Sequence, residues 1–273
     1  MDTWRFISYR TLGGFENMAL DEALFRMTHN RGKRPTLRLF GWECPTLTIG
    51  HFQDPKREVN REFCESHGIS VVRRPTGGKA VYHSTDLTYS ISACQGPPFS
   101  ADILTTYEVI SKCLVRGLEK VGIKAGVVEE GRRNLRAGVQ GGSCFATPFR
   151  NELLVRGAKI CGSAQLRSHG RFLQHGSILM DFDPVITARI TVGPGGDMVQ
   201  WVRLLSESVT SVNREVPMAL DAEALAPFIC EGFEEALGIR LESDEPTPRE
   251  EAEKNRLLNE KYRNPRWNDE GRL

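Results

Sequence analysis

Residues 73–83, which read RRPTGGKAVYH, constrain the fold of this 273-residue chain more than any other segment. They follow the apolar, β-branched run 69–72, which is typical of a buried strand. Pro75 and the glycine pair after it then predict a bend that leads into a second strand. The sequence therefore predicts two strands joined by a glycine-bearing turn, a pattern that an ordinary exposed hairpin shares with a ligand-binding turn.

The groups around this turn favour an anionic or carbonyl-bearing ligand, because main-chain N–H groups and guanidinium groups donate hydrogen bonds and accept none. Arg73 and Arg74 precede the turn, Gly77 and Gly78 form it, and His83 follows it. These residues are candidates for substrate binding.

A second stretch repeats the arrangement of strand, small polar residues and strand. Residues 157–165 read GAKICGSAQ, and residues 173–179 read LQHGSIL. Its candidate site residues are Lys159, Gly162 and His175. They bring to one region a cation, a main chain without a side chain and an imidazole, respectively.

The two stretches together resemble the lipoate-protein ligase and octanoyltransferase family, whose relatives are the biotin protein ligases. Residues 17–23 and 260–268 extend the resemblance over nearly the whole chain. The resemblance implies an α+β domain in which helices flank a mixed sheet, as in the biotin and lipoate protein ligases and the related class II aminoacyl-tRNA synthetases. We expect one catalytic domain over residues 1–273, with residues 242–273 as a charged C-terminal helical extension.

Apolar periodicity predicts the helices and strands of this domain. The predicted helices cover residues 16–28, 57–67, 101–121, 198–212, 222–237 and 248–262. The predicted strands cover residues 36–41, 46–52, 69–74, 87–93, 125–129, 152–155, 159–166 and 174–180.

Composition argues against several other functions. Lys and Arg number 36 against 35 Asp and Glu, and a net charge of +1 does not indicate a general nucleic-acid binder. No run approaches the roughly 18 apolar residues of a membrane span, and the first residues lack a signal-peptide layout, so we expect a cytoplasmic protein that makes no membrane contact. The seven cysteines contain no Cys-x-x-Cys pair, and we expect free thiols, no metal site and no cofactor.

Two reactions are common in the family that the sequence resembles, and they need different residues. A ligase activates free lipoate or octanoate with ATP and needs no nucleophile of its own, whereas an octanoyltransferase carries the acyl group on its own cysteine. By resemblance this nucleophile is Cys144, which lies in the run SCFATP after the glycine-rich segment 131–142. Lys159 follows it, and a cation beside a thiol raises the small thiolate fraction that is expected at neutral pH.

The segment 131–142 has two interpretations, a plain surface connection or, by resemblance, a segment that gates the substrate. The cysteines other than Cys144 are interpreted as structural because their neighbours are apolar. They stand at positions 44, 64, 94, 113, 161 and 230.

The sequence therefore predicts an octanoyltransferase. Cys144, assisted by Lys159, attacks the thioester of octanoyl-acyl carrier protein, and main-chain amides near Gly77, Gly78 and Gly162 stabilise the oxyanion. A lysine of a lipoyl-domain protein, such as the glycine cleavage system H protein or a 2-oxoacid dehydrogenase E2, then takes the acyl group. An ATP-dependent lipoate-protein ligase and a non-catalytic acyl-binding protein are the alternatives.

One position departs from the family pattern. An acidic residue usually follows the histidine that corresponds to His83, but Ser84 stands here and Asp86 comes two residues later. The departure weakens the interpretation that relies on ATP and magnesium.

Overall fold

Two β-sheets organise the chain in the computed structural model, which describes residues 1–28, 34–127, 152–193 and 196–272. The strands are β1 (Thr3–Leu12), β2 (Thr36–Trp42), β3 (Thr46–Ile49), β4 (Ser70–Arg73), β5 (Val81–His83), β6 (Leu87–Cys94), β7 (Gly126–Val127), β8 (Leu153–Val155), β9 (Ala158–Ser168), β10 (Arg171–Ile178) and β11 (Arg240–Ser243). The large sheet has eight strands in the spatial order β11-β1-β2-β6-β10-β9-β8-β7, and the small sheet has three in the order β4-β3-β5.

The large sheet is mixed. Its strand β1 runs parallel to both β2 and β11, while the pairs from β2 through β6, β10, β9 and β8 to β7 are antiparallel. In the small sheet β3 is parallel to β4 and antiparallel to β5.

Helices cover both faces of the large sheet. They are α1 (Gly14–Met27), α2 (Pro55–Glu58), α3 (Arg61–Ser66), α4 (Ile103–Lys120), α5 (Pro184–Ile190), α6 (Met198–Ser208), α7 (Val212–Glu215), α8 (Ala222–Leu237), α9 (Pro248–Leu257) and α10 (Pro265–Glu270), with a π-helical turn at Leu258–Tyr262. None of the helices within the described ranges is long and apolar enough to cross a bilayer.

Successive side chains of β6 point to opposite faces of the sheet, and one of these faces is apolar while the other is polar. Leu87, Tyr89 and Ile91 belong to the main core under α4 and α8. Thr88 and Ser90 are also buried but point to the opposite face, which α1 covers. The main core therefore lies on one side of the sheet, and buried polar side chains lie on the other.

The C-terminal helices close the polar side. Leu257, Tyr262 and Trp267 pack with Met18 of α1 and Trp42 of β2 in a second apolar cluster. This cluster fixes α1 against the sheet beside the residues of the pocket described below.

The α+β fold class predicted from the sequence is confirmed. Several elements differ in detail, of which three are named here. The segment predicted as one helix over 57–67 forms two short helices, because the side chain of Asn60 caps the N-terminus of α3. The helix predicted over 198–212 ends at Ser208. The strand predicted over 125–129 is described only as far as Val127.

Candidate active site

A pocket that is partly open to solvent lies between the small sheet and the polar face of the large one. Strands β9 and β10 form one wall, and residues of β3 and β5 form the other. The residues that line it are Met18, Trp42, Thr48, Arg74, Val81, His83, Thr88, Gly162, Ser163, Ala164, His175, Gly176 and Ser177. Side chains such as Met18, Trp42 and Val81 give the pocket apolar walls that suit an alkyl chain.

His175 is held between a carboxylate and a hydroxyl. Its Nδ1 lies 3.0 Å from Asp21 Oδ2, and its Nε2 lies 2.7 Å from Thr76 Oγ1. Burial lowers the pKa of His175 below its usual value, although the hydrogen bond and the charge of Asp21 act in the opposite direction. The ring is therefore neutral at pH 7, with Nδ1–H donating to Asp21 and Nε2 accepting from the Thr76 hydroxyl.

Asp21 is itself held in its charged form. Arg38 and Ser90 donate to its Oδ1 at 2.7 and 2.8 Å. Burial opposes the charge, but the attraction of Arg38 and the hydrogen bond of His175 outweigh it and lower the pKa of the Asp21 carboxyl. Since Asp21 and Arg38 have no exposed surface, this ion pair is a fixed support for the imidazole.

His83 has a similar support on the facing wall. Its Nδ1 lies 2.8 Å from Asp86 Oδ2, its Nε2 lies 2.9 Å from Thr48 Oγ1, and its ring stacks on Trp42 with centroids 3.9 Å apart. Burial opposes the charge of Asp86, but His83 and neighbouring hydroxyls outweigh it and lower the pKa of the carboxyl. The main-chain N–H of Ser84 donates to Asp86 Oδ1 at 3.1 Å. The acidic side chain that binds the histidine thus comes from Asp86, while Ser84 contributes its main chain.

Arg74 shapes the glycine turn. Its guanidinium donates to the carbonyl oxygens of Gly77 at 2.9 Å and of Lys79 at 2.7 Å. Gly78 has a φ of 90°, which favours glycine. The N–H groups of Gly77 and Gly78 make no hydrogen bond to any other described residue. Two carbonyl groups of the turn are therefore bound by Arg74, while the amide donors of Gly77 and Gly78 are available.

Gly50 packs directly against this turn, and Gly50→Ala is expected to lower the free energy of unfolding by about 1–3 kcal/mol. A Cβ at position 50 would lie 1.9 Å from the carbonyl oxygen of Gly78, which is main chain and cannot rotate away. The matched control is Gly77→Ala, since a Cβ there meets nothing within 4 Å. Urea denaturation of the two variants tests this, and equal losses would contradict the close approach of Gly50 to the turn.

Of the residues predicted to bind substrate, some line the pocket, some adjoin it and one lies elsewhere. Those that line it are Arg74, His83, Gly162 and His175. Gly77 and Gly78 adjoin it, because a Cβ on Gly78 would be 3.9 Å from the Cβ of Ala164.

Arg73 lies behind the pocket rather than in its wall. Its buried guanidinium donates to main-chain carbonyl groups on two sides. The acceptors are Gly50, His51 and Gln53 after β3, and Trp267, Asn268 and Asp269 in α10. Arg73 therefore joins α10 to the loop that supports the glycine turn.

Of the two residues predicted to be catalytic, only one lies in the described ranges. Lys159 is buried in β9, three positions before Gly162 of the pocket wall, and forms an ion pair with Glu152. Cys144 lies outside the described residues.

Sequence reasoning missed the residues that support the two histidines. They are Asp21, Thr48 and Thr76, which bind the imidazoles, and Trp42, which stacks on one of them. Asp21 had a usable signal, because an acidic residue on the apolar face of a helix indicates a buried partner. The threonines had none, since this residue type is ordinary in strands and turns.

The described ranges offer neither a metal-binding cluster nor a cysteine in the pocket wall. Burial raises the pKa of Cys64 to about 11, and it raises those of Cys113, Cys161 and Cys230 to about 12. These thiols are therefore protonated at neutral pH and are poor nucleophiles.

Comparisons with known proteins show which family the chain is similar to. The family model of the lipoyl protein ligase A/B catalytic domain matches residues 14–234. The chain is 41% identical to the octanoyltransferase LipM of Kyrpidia tusciae, covering 98% of this chain and 99% of that one, and 34% identical to the octanoyltransferase LipM of Bacillus subtilis, covering 98% of each. Among solved structures it is similar to a lipoate-protein ligase A bound with ATP, with a TM-score of 0.80, 25% identity and 98% of each chain covered. An archaeal bipartite lipoate protein ligase of Thermoplasma acidophilum shares the fold at a TM-score of 0.84 and 24% identity, over 100% of this chain and 98% of that one.

Proposed function

Since the chain belongs to the family of the lipoyl protein ligase A/B catalytic domain, we propose that it takes an octanoyl group from octanoyl-acyl carrier protein onto Cys144 and passes it to a lysine of a lipoyl-domain protein. The chain is an octanoyltransferase that serves protein lipoylation, as are its relatives of substantial identity over their full length. The acceptor is a lipoyl-domain protein, and the glycine cleavage system H protein and a 2-oxoacid dehydrogenase E2 are the candidates that we propose.

The reaction has two balanced steps. The Cys144 thiolate attacks the carbonyl carbon of the carrier thioester, a new C–S bond forms, and the carrier leaves as a thiol after it takes up a proton. The neutral amine of the acceptor lysine then attacks the carbonyl carbon of the acyl-enzyme, a C–N bond forms and the C–S bond to Cys144 breaks. The proton that the amine loses balances the charge of the departing Cys144 thiolate, which is either protonated or ready for the next cycle. Each step passes through an oxyanion, for which the amides of Gly77 and Gly78 supply unpaired donors.

The observation that carries this proposal is the pocket. Its apolar walls suit an octanoyl chain, while His83 and His175 are fixed by carboxylates and are not free to act as nucleophiles. The described part of the chain places no cysteine in the pocket wall, which supports a nucleophile among the remaining residues. Cys144 is the cysteine that remains.

An ATP-dependent ligase is the second candidate, because the fold is similar to that of a lipoate-protein ligase A that binds ATP. A ligase would form an acyl adenylate and would need no enzyme thioester. The two reactions therefore differ in their requirement for ATP and in where the acyl group is found.

The wild-type enzyme mixed with octanoyl-acyl carrier protein, without ATP, is expected to gain the mass of one octanoyl group. The adduct should be removed by hydroxylamine, because a thioester is cleaved where an amide is not, and peptide mapping should place it on Cys144. Intact-protein mass spectrometry makes the measurement. An enzyme that stays unmodified, and that acylates a lipoyl domain only when ATP and magnesium are added, would replace the transferase with the ligase.

A further inference from the structure

The candidate pocket has an open side and a closed end. On the open side Val81 of β5 and Ala164 of β9 are partly exposed, whereas Met18 of α1 and Trp42 of β2 at the closed end are buried, at 1% and 6% exposure. The glycine turn lies on the open side, because a Cβ on Gly78 would be 3.9 Å from the Cβ of Ala164. An acyl group whose carbonyl oxygen binds the turn therefore extends its alkyl tail toward Met18 and Trp42.

Of the two apolar side chains at the closed end, Trp42 is fixed. Its indole Nε1 donates to Thr88 Oγ1 at 2.9 Å, and its ring stacks on His83 with centroids 3.9 Å apart. Met18 is an unbranched thioether, which fills an irregular space by packing alone. The length of the pocket therefore depends on the side chain at position 18.

The main chain that carries Met18 is held in place by its neighbour. The side-chain amide of Asn17 donates to the carbonyl oxygens of Leu12 at 3.1 Å and of Gly41 at 3.0 Å. These bonds fix the first turns of α1 to the ends of β1 and β2. A substitution at position 18 should therefore change the depth of the pocket without moving the helix.

The space behind Met18 is apolar. Met18 lines the pocket and also packs in the second apolar cluster, with Leu257, Tyr262 and Trp267 of the C-terminal helices. A smaller side chain would thus extend the pocket toward apolar side chains, and additional methylene groups of a longer alkyl chain gain free energy from burial in such a space.

We propose that Met18 is a specificity-determining residue, which ends the acyl pocket and thereby limits the acyl chain to about the length of octanoyl. This inference rests on the proposed function, in which the pocket holds an octanoyl group. Met18 contacts the terminal methyl end of the chain and not the reacting carbonyl group.

The test measures the binding of hexanoate, octanoate and decanoate by isothermal titration calorimetry. The wild type should bind octanoate about tenfold more tightly than hexanoate, since two more methylene groups are buried, and should bind decanoate no more tightly than octanoate. Met18→Ala should bind decanoate about tenfold more tightly than octanoate, because the longer chain fills the vacated space. Met18→Phe should change the order in the opposite direction and bind octanoate no more tightly than hexanoate.

Met180→Ala is the matched control. Met180 is also 1% exposed, but it packs in the main core and does not line the pocket. Truncation there should create a similar cavity and leave the order of the three acids as in the wild type. Circular dichroism checks that each variant is folded, and Met18→Val offers a milder truncation with the same direction of change.

The inference is overturned if the folded Met18→Ala and Met18→Val variants keep the wild-type order, or if Met180→Ala changes the order equally. A wild-type protein that binds none of the three acids also overturns it. The acids carry no thioester and their binding needs neither a nucleophile nor ATP. An enzyme that shows the expected order but gains no octanoyl adduct would therefore lose the proposed transfer and keep the role of Met18.

Discussion

Cys144→Ala is expected to reduce octanoyl transfer by about a thousandfold or more, while the protein stays folded. Alanine cannot form the acyl-enzyme, so the only remaining route is direct attack of the acceptor lysine on the carrier thioester. Direct attack needs both proteins at one pocket at the same time, whereas the thioester lets each partner bind in turn. Transfer to a purified lipoyl domain, followed by intact-protein mass spectrometry, measures the loss.

Cys161→Ala is the matched control for this variant. Cys161 is two residues from Lys159 and is buried, and its thiol pKa of about 12 keeps it protonated. The control should therefore transfer at close to the wild-type rate. A Cys144→Ala enzyme that still modifies the lipoyl domain, with or without ATP, would remove the covalent intermediate from the mechanism.

Arg38→Leu is expected to lower the free energy of unfolding at pH 7 by about 3–5 kcal/mol. The guanidinium is buried, and it donates to Asp21 at 2.7 Å and lies over the ring of Phe40 at 3.8 Å. Leucine replaces the packing but leaves Asp21 charged inside the protein. Urea denaturation measures the loss, and Arg203→Leu is the control, because Arg203 is 80% exposed in its pair with Glu207.

The loss of unfolding free energy in Arg38→Leu should also depend on pH. In the wild type the pKa of Asp21 is lowered, so its contribution to stability is complete above the unfolded value of about 3.9 and is lost as the pH falls through the folded value. Without Arg38 the folded variant should bind a proton, on Asp21 or on His175, as the pH falls from about 7 toward 4. The loss of unfolding free energy caused by Arg38→Leu should then be smaller at pH 5 than at pH 7. An equal loss at both pH values would contradict the presence of a buried carboxylate without a counter-charge.

The sequence predicted the elements that carry a regular apolar pattern. The helix α8 has the predicted bounds, and α4 differs from the prediction by a few residues at each end, because each places an apolar stripe on the same core. Strands β2 and β6 were predicted because they are buried over nearly their whole length and therefore read as apolar or small residues. The α+β class follows from such elements, since each depends mainly on residues that are close in sequence.

The outer strands β1 and β11 were not predicted, because long-range partners decide their burial. Arg5 lies near the start of β1, and its charge predicts an exposed position. It is nevertheless buried, in a bidentate pair with Glu250 at 3.0 and 3.1 Å. The residues that support the two histidines of the candidate site could not be predicted for the same reason, since their partners are distant in sequence. Thr76 lies 99 positions from His175, and no local pattern connects the two.

The wall behind the pocket is built from residues that lie late in the sequence. β11 pairs with β1, Glu250 binds Arg5 across 245 positions, and α10 supplies acceptors to Arg73. A nascent chain that ends after α8 lacks all three, so Arg5 has no counter-charge that would permit its burial, and Arg73 keeps only its acceptors in the loop after β3. The support behind the glycine turn is therefore complete only after translation has passed α10.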